Sequence, residues 1–190
     1  MRLVVGLGNP GREHEGQRHN LGFVVAEAWR QAEGLPPLEP KFRGLFARGT
    51  VGGEPTAVLL PQTYMNLSGE SVQPACAFFK VEPRDVLVVH DELDLAWKDV
   101  RLKMGGGHAG HNGLRSLVQH LGPDFARLRV GIGKPPPGRE THGWVLGQLD
   151  PVERAELPEV VAKGVDAIRR VLADGIGPAM NVVNTRGTGA

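Results

Sequence analysis

The sequence predicts a single α/β domain in which a central mixed, twisted sheet is flanked by helices on both faces. Short apolar runs, typical of buried strands, alternate along the chain with segments whose apolar residues recur every three to four positions, as in amphipathic helices. The length of 190 residues fits one domain with a substantial core, and no segment repeats another. We expect residues 1–184 to form this domain and residues 185–190 to be a disordered tail.

The first half of the chain predicts three strands and two helices. The run RLVVGL, residues 2–7, is typical of a buried strand, and residues 42–61 predict two further strands joined by a Gly-Gly-Glu-Pro turn. Between them lies a predicted helix, for which Asn20 is the natural N-cap. Its apolar face consists of Leu21, Val24, Val25, Ala28 and Trp29. A second helix is predicted over residues 67–80, with a kink or a later start at Pro74.

The second half continues the alternation. Residues 85–93 (DVLVVHDEL), 100–104 (VRLKM) and 126–133 (ARLRVGIG) predict strands, the last with apolar and basic residues on opposite faces. A third helix is predicted from the spacing of Leu114, Leu117, Val118 and Leu121. A long C-terminal helix is predicted over much of 151–174, and we expect the apolar residues 144–146 to pack as core or as a lid.

Composition excludes several classes of protein. With 27 glycines and 15 prolines the chain is loop-rich but short of low complexity, and its one cysteine, Cys76, is expected to be a small buried thiol. No apolar run reaches the ~18 residues of a membrane span, and no signal peptide is visible, so we expect a cytoplasmic protein without membrane contact. The net charge is only +1, but residues 98–139 carry eight Lys or Arg against two acids, which predicts one basic face.

Residues 6–11, Gly-Leu-Gly-Asn-Pro-Gly, match the G-x-G-x-x-G pattern of dinucleotide-binding turns. That motif needs a helix directly after the glycines and an acidic residue at the end of a second strand about 20 residues further on. Here residues 12–18 are polar, the helical pattern starts only at Leu21, and no acid stands at the required place. A helix displaced this far cannot hold a pyrophosphate against the glycines. A nucleotide-binding oxidoreductase is therefore an alternative with little support.

Polar residues cluster where the predicted strands and loops end. In α/β sheets the active site lies at the carboxyl ends of the strands. The residues found there are Asn9, Tyr64, Met65, Asn66, His90, Asp91, Glu92, His111 and Asn112. His19 lies directly before the cap of the first helix, and no G-x-S-x-G nucleophile motif accompanies these residues. A histidine, an aspartate and several asparagines are a set suited to the activation of water.

Six motifs occur along the chain: GLGNPG, RHN, TYMNLSGE, HDELDL, GGGHAGHNGLRS and RLRVGIGKP. In this order and spacing they resemble the bacterial-type peptidyl-tRNA hydrolase family over residues 3–147. The resemblance implies an esterase that hydrolyses the bond between a peptide, or an N-blocked aminoacyl group, and the 3′ ribose of tRNA, and so releases tRNA for reuse in translation. It implies peptidyl-tRNA as the nucleic-acid partner, no metal, no cofactor and no obligate protein partner, and we expect a monomer.

The resemblance also implies roles for individual residues. His19 matches the catalytic general base, Asp91 its partner, and Asn9 a further catalytic residue. Substrate-binding roles fall on His14, Met65, Asn66, His111 and Asn112. Lys103 and Arg129 match basic residues that hold the 5′ phosphate of tRNA. These roles are chemically sound, because a neutral imidazole takes a proton from water near neutral pH and a carboxylate fixes its tautomer.

Two positions depart from the family pattern. His14 stands where the family commonly has Tyr, which affects the substrate contacts expected of that loop. Ala109 stands in the glycine loop where Gly is frequent. This second change is harmless if Ala109 has a negative φ angle.

Simpler interpretations of single residues stay open. Asn9 is a typical turn residue before Pro-Gly, and Asn66 and Asn112 could each be helix N-caps. A metal site could form from His90, His108 and His111. We favour the polar active site for these residues because the motifs occur together at the family's spacing.

The basic residues on two predicted strands form i, i+2 pairs, Arg101 with Lys103 and Arg127 with Arg129. Each pair projects from one strand face with a spacing of about 7 Å, comparable to that of phosphates along a nucleic-acid strand. We favour tRNA binding for Lys103 and Arg129 and assign no role to the other two arginines. A tRNA-binding module without catalysis is the second alternative.

Overall fold

The computed structural model describes residues 1–186, which form one seven-stranded sheet. Its strands are β1 (Arg2–Gly6), β2 (Glu39–Lys41), β3 (Gly44–Val51), β4 (Glu54–Pro61), β5 (Val86–Glu92), β6 (Val100–Met104) and β7 (Ala126–Gly131). Their order across the sheet is β2-β3-β4-β1-β5-β7-β6. β4, β1, β5 and β7 run parallel to one another, whereas β2, β3 and β6 pair with their neighbours in the antiparallel sense. The predicted mixed sheet is therefore confirmed.

Six α-helices lie within the described residues and cover both faces of the sheet. They are α1 (Leu21–Ala32), α2 (Gly69–Phe79), α3 (Asn112–Leu121), α4 (Thr141–Val145), α5 (Pro151–Asp174) and α6 (Ile176–Arg186). Trp29 of α1 and Ile168 of α5 are buried in the apolar cluster on one face. Ala75 of α2 and Leu117 of α3 are buried in a separate cluster on the other face. The α/β prediction is confirmed, and the sheet divides the apolar interior into two clusters.

The four parallel strands end at the same edge of the sheet, and this brings the loops that follow them together. β1 is followed by the loop that contains Asn9, β4 by a 3₁₀ turn at Met65–Leu67, and β5 includes Asp91 close to its end. The central strands are apolar on both faces because helices cover both. The order of the strands thus gathers polar groups from distant parts of the sequence at one edge.

Two glycines let α1 approach β1 closely. A Cβ atom at Gly22 would lie 2.4 Å from the carbonyl oxygen of Val89 and 2.5 Å from that of Leu7. A Cβ atom at Gly6 would lie 2.5 Å from the carbonyl oxygen of Gly22. A side chain at either position would push the helix away from the sheet. Gly6 of the G-x-G-x-x-G pattern therefore serves helix packing, which brings the residues before α1 next to the ends of β1 and β5.

The side chain of Asn184 in α6 occupies the outer edge of β6. Its Oδ1 accepts a hydrogen bond from the backbone N–H of Leu102 at 2.8 Å, and its Nδ2 donates to the carbonyl of Leu102 at 2.9 Å. At the opposite edge, β2 is only three residues long and contains Pro40, which has no N–H to donate. Both edges of the sheet are thus partly closed to further strands.

Three helices differ from the sequence prediction, and one of them, α4, forms where the sequence predicts only a short apolar patch. α2 starts at Gly69, after the short 3₁₀ turn, and continues through Pro74. α6 is not apparent from the sequence, because Gly177 and Pro178 interrupt any helical pattern at its start. Contacts with β6 and α5 hold α6 in place, and local propensity does not. The long helix predicted over much of 151–174 is confirmed as α5, which fills the whole of that range.

The predicted tail, residues 185–190, starts within the last turn of α6, and residues 187–190 lie outside the described part of the chain. No helix among residues 1–186 is long and apolar enough to cross a membrane. Cys76 is buried in α2, as the sequence predicts, and burial raises the pKa of its thiol to about 11. A thiol with this pKa is protonated at neutral pH and does not act as a nucleophile.

Candidate active site

A cleft of about 740 Å³ opens at the carboxyl edge of the sheet. Its wall includes every residue with a predicted catalytic or substrate-binding role: Asn9, His14, His19, Met65, Asn66, Asp91, His111 and Asn112. Lys103 and Arg129 lie outside this wall, on β6 and β7. A further part of the wall comes from Thr141, His142, Val145 and Leu146 in and beside α4. The sequence predicts core or lid packing for residues 144–146 and gives no sign of the other two. A second cavity, of about 660 Å³, lies between β6 and α5 and contains none of these residues.

His19 and Asp91 form a buried hydrogen-bonded pair. His19 belongs to a 3₁₀ turn, Arg18–Asn20, directly before α1, and its Nδ1 lies 2.9 Å from Oδ2 and 3.0 Å from Oδ1 of Asp91. Both side chains are buried. Because a carboxylate only accepts, Nδ1 of His19 carries the hydrogen and Nε2 is left with a free lone pair. His19 is therefore in the tautomer that a general base requires.

His111 is a second imidazole on the same carboxylate, but its own hydrogen bonds fix it as a neutral donor. Its Nε2 lies 3.0 Å from Oδ1 of Asp91. Its Nδ1 accepts from the backbone N–H groups of Gly113 at 3.1 Å and Leu114 at 3.2 Å, and so caps α3. A nitrogen that accepts two hydrogen bonds holds no proton, and the remaining nitrogen must donate to Asp91. His111 thus has no free basic nitrogen, whereas Nε2 of His19 has a lone pair available.

Burial and charge set the ionisation of these groups. Burial lowers the pKa of His19, but the charge and hydrogen bond of Asp91 raise it by more, so that the pKa lies above the usual 6.5. Burial raises the pKa of Asp91, and the two imidazoles more than reverse this, so that the carboxyl stays ionised. The neighbouring His90 is fully buried, and burial lowers its pKa to about 4. His90 is therefore neutral, and its Nδ1 donates to the carbonyl of Asp91 at 2.8 Å.

Asn20 holds the loop of Asn9 in place. The Oδ1 of Asn20 accepts from the backbone N–H of Asn9 at 2.9 Å, and its Nδ2 donates to the carbonyl of Asn9 at 2.9 Å. Asn20 occupies the N-cap position of α1, as the sequence predicts, but its side chain makes no capping hydrogen bond to the helix. The Oδ1 of Asn9 accepts from the backbone N–H of Met65 at 2.7 Å, which leaves its Nδ2 as the donor available in the cleft. Local sequence rules point to the cap, and only the folded chain brings residues 9 and 20 together.

The other predicted substrate-binding residues differ in how firmly they are held. Met65 is buried, whereas Asn66 and Asn112 are exposed and their side chains make no hydrogen bond to any residue of the described range 1–186. Asn112 is the first residue of α3 and His111 caps that helix, so the N-cap interpretation of Asn112 is wrong. Asn66 lies inside a 3₁₀ turn whose cap position is Tyr64, so it is not an N-cap either.

His14 lies at the rim of the cleft, in the short 3₁₀ segment Arg12–His14. Its Nδ1 is 2.9 Å from Oε1 of Gln17. The ring therefore keeps one nitrogen for a ligand, where a tyrosine would present a hydroxyl.

The basic residues of β6 and β7 lie in contrasting surroundings. Lys103 is exposed, and Arg129 forms an ion pair with Glu92, Nε to Oε1 at 3.0 Å. Arg127 is buried, and its guanidinium donates to the backbone carbonyls of Gly106, Gly107 and Pro123. Arg127 therefore supports the glycine loop that leads to His111. Charge pattern alone indicates a solvated residue at this position, and no sequence feature signals its burial.

Ala109 has a φ angle of +47°, so the condition under which alanine is harmless at this position is not met. It is followed by Gly110, with φ of +80°, in the loop before His111. A residue with a Cβ atom costs roughly 1–2 kcal/mol in the left-handed region. The family's frequent Gly at this position has a conformational reason, and this chain carries local backbone strain beside its active site.

The donor atoms of His19, Asp91 and His111 lie within 4.8 Å of one another, so two imidazoles and a carboxylate do converge. The predicted metal candidate, with His90 and His108, is not the set that converges. A metal-bound histidine normally donates its other N–H to a carboxylate or carbonyl. Nδ1 of His111 instead accepts from two backbone N–H groups. This arrangement fits two imidazole N–H groups that donate to Asp91 better than it fits a bound metal.

A buried imidazole oriented by a carboxylate, in a cleft at the strand ends of an α/β sheet, defines a class of enzyme, a hydrolase that activates water. The family model described as Peptidyl-tRNA hydrolase matches residues 3–189. The chain therefore belongs to the peptidyl-tRNA hydrolase family, and the resemblance seen in the sequence is confirmed.

Individual relatives agree with this assignment. A peptidyl-tRNA hydrolase of Sorangium cellulosum is 51% identical over 98% of this chain and 85% of its own length. One of Syntrophotalea carbinolica is 46% identical over 98% of each chain. The crystal structure of peptidyl-tRNA hydrolase from Acinetobacter baumannii matches with a TM-score of 0.91 at 41% identity, and covers 97% of this chain and 94% of that chain.

Proposed function

We propose that this chain hydrolyses the ester bond that joins a peptide, or an N-blocked aminoacyl group, to the 3′ ribose of tRNA. The observation that carries the proposal is the hydrogen bonding of His19. Its Nδ1–H is bound by Asp91, so that Nε2 is the free basic nitrogen of a residue in the cleft wall. Family membership supplies the substrate class, and this pair supplies the chemistry that an ester requires.

In the proposed reaction, Nε2 of His19 takes a proton from a water molecule, and the oxygen of that water attacks the ester carbonyl carbon. We assign Nδ2 of Asn9 as a donor to the carbonyl oxygen as negative charge develops there, because Oδ1 of Asn9 is already bound by Met65. The bond between the carbonyl carbon and the ribose oxygen then breaks, and His19 returns its proton to that oxygen. Asp91 stabilises the imidazolium between the two steps.

We assign the peptide to the remaining wall of the cleft. Asn66 and Asn112 have donors and acceptors without charge, which suit the backbone of a peptide of any sequence. Met65 supplies an apolar surface, and His14 contacts the substrate from the rim. His111 contributes through Asp91, since both of its ring nitrogens are engaged.

The tRNA body is assigned to the basic surface on β6 and β7. Lys103 and Arg129 occupy diagonal positions on these paired strands, about 7 Å apart, and are placed to hold a phosphate together. Residues of one chain complete the site, so we propose a monomer that acts in the cytoplasm, where peptidyl-tRNA arises. The proposed reaction uses water alone and needs no metal or cofactor.

The test is turnover of N-blocked aminoacyl-tRNA by the wild type and by His19→Ala. Loss of the base should lower kcat by roughly 10²–10⁴ while tRNA binding stays nearly intact. His120→Ala, a change at an exposed histidine of α3 outside the cleft, is the matched control and should keep wild-type rates. A His19→Ala rate within about tenfold of the wild type would contradict the assignment of the base.

Two further measurements, tRNA binding and thermal unfolding with NADH, separate the alternatives. Wild-type binding of tRNA without turnover would indicate the non-catalytic binding module. Protection from thermal unfolding by NADH would indicate the oxidoreductase, but the role of Gly6 in packing against Gly22 already accounts for a glycine of its motif.

A further inference from the structure

Arg18, the residue before the proposed base, is a buried cation. Only 3% of its surface is exposed, and its Nη2 lies 2.7 Å from Oε1 of Glu153 in the first turn of α5. Its guanidinium carbon lies 3.6 Å from the ring centroid of Trp144, and its Nη1 donates to the carbonyl of Trp144 at 3.4 Å. The charge is therefore paired, stacked and shielded from water at a position adjacent in sequence to His19.

The backbone around Arg18 is fastened to the chain that follows α4. The N–H of Arg18 donates to the carbonyl of Gly147 at 3.0 Å, and the N–H of Leu149 donates to the carbonyl of Gly16 at 2.9 Å. Gln17 and Gln148 form an isolated antiparallel bridge between the same two segments. This contact joins the turn of His19 to the α4 wall of the cleft.

Glu153 fixes the other side of this contact. Its backbone N–H donates to Oδ1 of Asp150 at 2.8 Å, and its Oε1 accepts from the backbone N–H of Asp150 at 2.9 Å. These two bonds are the capping box at the start of α5. Oε1 of Glu153 therefore serves both the helix start and Arg18. Trp144 is held as well, because its Nε1 donates to the carbonyl of Gly133 at 3.0 Å.

We infer that Arg18 is a positioning residue for the proposed hydrolysis, which sets the α4 wall of the cleft relative to His19. One side chain binds α5 through Glu153 and α4 through Trp144, while its own backbone is continuous with His19. Movement of the wall is then transmitted to the base, and the two keep a fixed separation across the ester. The inference rests on the proposed function.

Arginine suits this position because its planar guanidinium stacks on an aromatic ring and binds a carboxylate at the same time. A lysine would keep the charge near Glu153 but lose the stacking on Trp144. A methionine would keep much of the volume and lose both. The three side chains therefore form a graded series at one position.

The test is the kinetics of Arg18→Met and Arg18→Lys. A misplacement of about 1 Å near the reacting atoms costs up to about 10²-fold in rate, so kcat of Arg18→Met should fall by roughly 10- to 100-fold, with a smaller loss for Arg18→Lys. The loss in kcat should be equal on full-length peptidyl-tRNA and on an N-blocked aminoacyl ester of a short 3′ oligonucleotide. The reason is that Arg18 adjoins His19, which acts on the ester present in both substrates. The Nδ1–H proton resonance of His19 should broaden in Arg18→Met.

Controls distinguish positioning from simple stability. Arg30→Met removes an ion pair with Glu27 on α1, away from the cleft, and should lower stability without changing kcat. Glu153→Gln keeps an acceptor for Arg18 and should stay closer to the wild type than Arg18→Met. If Arg18→Met does not fold, Trp144→Leu replaces it, since this change removes the stacked ring and leaves the pair with Glu153.

Wild-type kcat and an unchanged His19 resonance in a folded Arg18→Met or Trp144→Leu variant would overturn the inference. A wild-type chain that does not hydrolyse the substrate would overturn the proposed function instead. The resonance of His19 would still report whether Arg18 orients that ring, so the two failures are distinguishable.

Discussion

Nδ1 of His19 lies 2.9 Å from Oδ2 of Asp91, and neither group has appreciable contact with solvent. This one relationship sets two properties of His19, the proposed base. The hydrogen bond leaves the lone pair on Nε2, and the carboxylate charge raises the pKa of the ring against the effect of burial. The pair therefore predicts both which nitrogen reacts and at what pH it is free to react.

The pH dependence of hydrolysis should follow this pKa. The base acts only when neutral, so kcat/KM should fall as the pH drops through the raised pKa of His19, which lies above 6.5. In Asp91→Asn the charge is lost and burial remains, so the acidic limb should move to lower pH. The maximal rate should also fall, because an amide stabilises the imidazolium less well. Profiles of kcat/KM from about pH 5 to about pH 9 measure both effects.

An acidic limb at the same pH in the wild type and in Asp91→Asn would mean that Asp91 does not set the pKa of the titrating group. Glu82→Gln changes an exposed carboxylate that pairs with Arg84, and serves as the control.

The loop of Asn9 should depend on Asn20. Asn20→Ala leaves the buried N–H and carbonyl of Asn9 without partners, at a cost of about 1–3 kcal/mol, and frees the loop to move. We expect a lower kcat with little change in affinity for tRNA, and a similar direction for Asn9→Ala. Asn181→Ala, at an exposed position of α6, is the control, because it removes the same type of side chain away from the loop of Asn9. Equal kcat in Asn20→Ala and the wild type would show that the loop holds its shape unaided.

Much of the site follows from the sequence because the chain uses parallel strands. The apolar runs at β1, β4 and β5 predict buried strands, and strands of that kind end together, so the residues that follow them meet. The roles of Asn20 and Arg127 cannot be predicted in this way. Local rules make Asn20 a cap and Arg127 a solvated charge, whereas each binds backbone groups that only the tertiary fold brings near.

The φ angle of Ala109 and the helix α6 also could not be predicted from the local sequence. A positive φ depends on how the glycine loop meets α3, and α6 depends on packing against β6, so neither is determined by nearby residues.

Lys103 should contribute to binding and not to the bond-breaking step. Lys103→Ala should raise KM for full-length peptidyl-tRNA, reduce the salt dependence by about one phosphate contact, and leave kcat little altered. Arg129→Ala should act in the same direction, but it also leaves Glu92 without its partner, so Lys103 gives the cleaner result. Measurements of kcat/KM across a salt series, on long and short substrates, separate the two steps.

The short substrate, an N-blocked aminoacyl ester of a 3′ oligonucleotide, lacks the bound phosphate and should be cleaved equally by the wild type and Lys103→Ala. Arg84→Ala is the control, because it removes an exposed charge before the start of β5, at the amino edge of the sheet. It should leave kcat/KM unchanged on both substrates. Equal losses on both substrates would instead assign Lys103 to the fold or to the catalytic centre.

Ala109→Gly should stabilise the protein, because glycine adopts a positive φ without strain. We expect a gain of up to about 1 kcal/mol and a rise in Tm of roughly 2–4 °C. The opposite sign is expected for Ala77→Gly in the exposed part of α2, where the backbone is helical. Thermal unfolding of the two variants is the measurement. A lower Tm for Ala109→Gly would indicate that the methyl group makes a contact worth more than the strain.

The family motifs end near residue 147, yet the sheet is not complete until Asn184 binds the edge of β6. The side-chain amide of Asn184 uses one N–H and its oxygen on the backbone of Leu102, as a strand residue would, so it stands in for a single residue of an eighth strand. A chain shortened to its motif-bearing part would keep every proposed catalytic group and lose this closure. Its outer strand would then be open to the same strand of another molecule. The binding of Asn184 to β6 thus limits pairing of this strand with a second molecule, a role separate from the chemistry of the cleft.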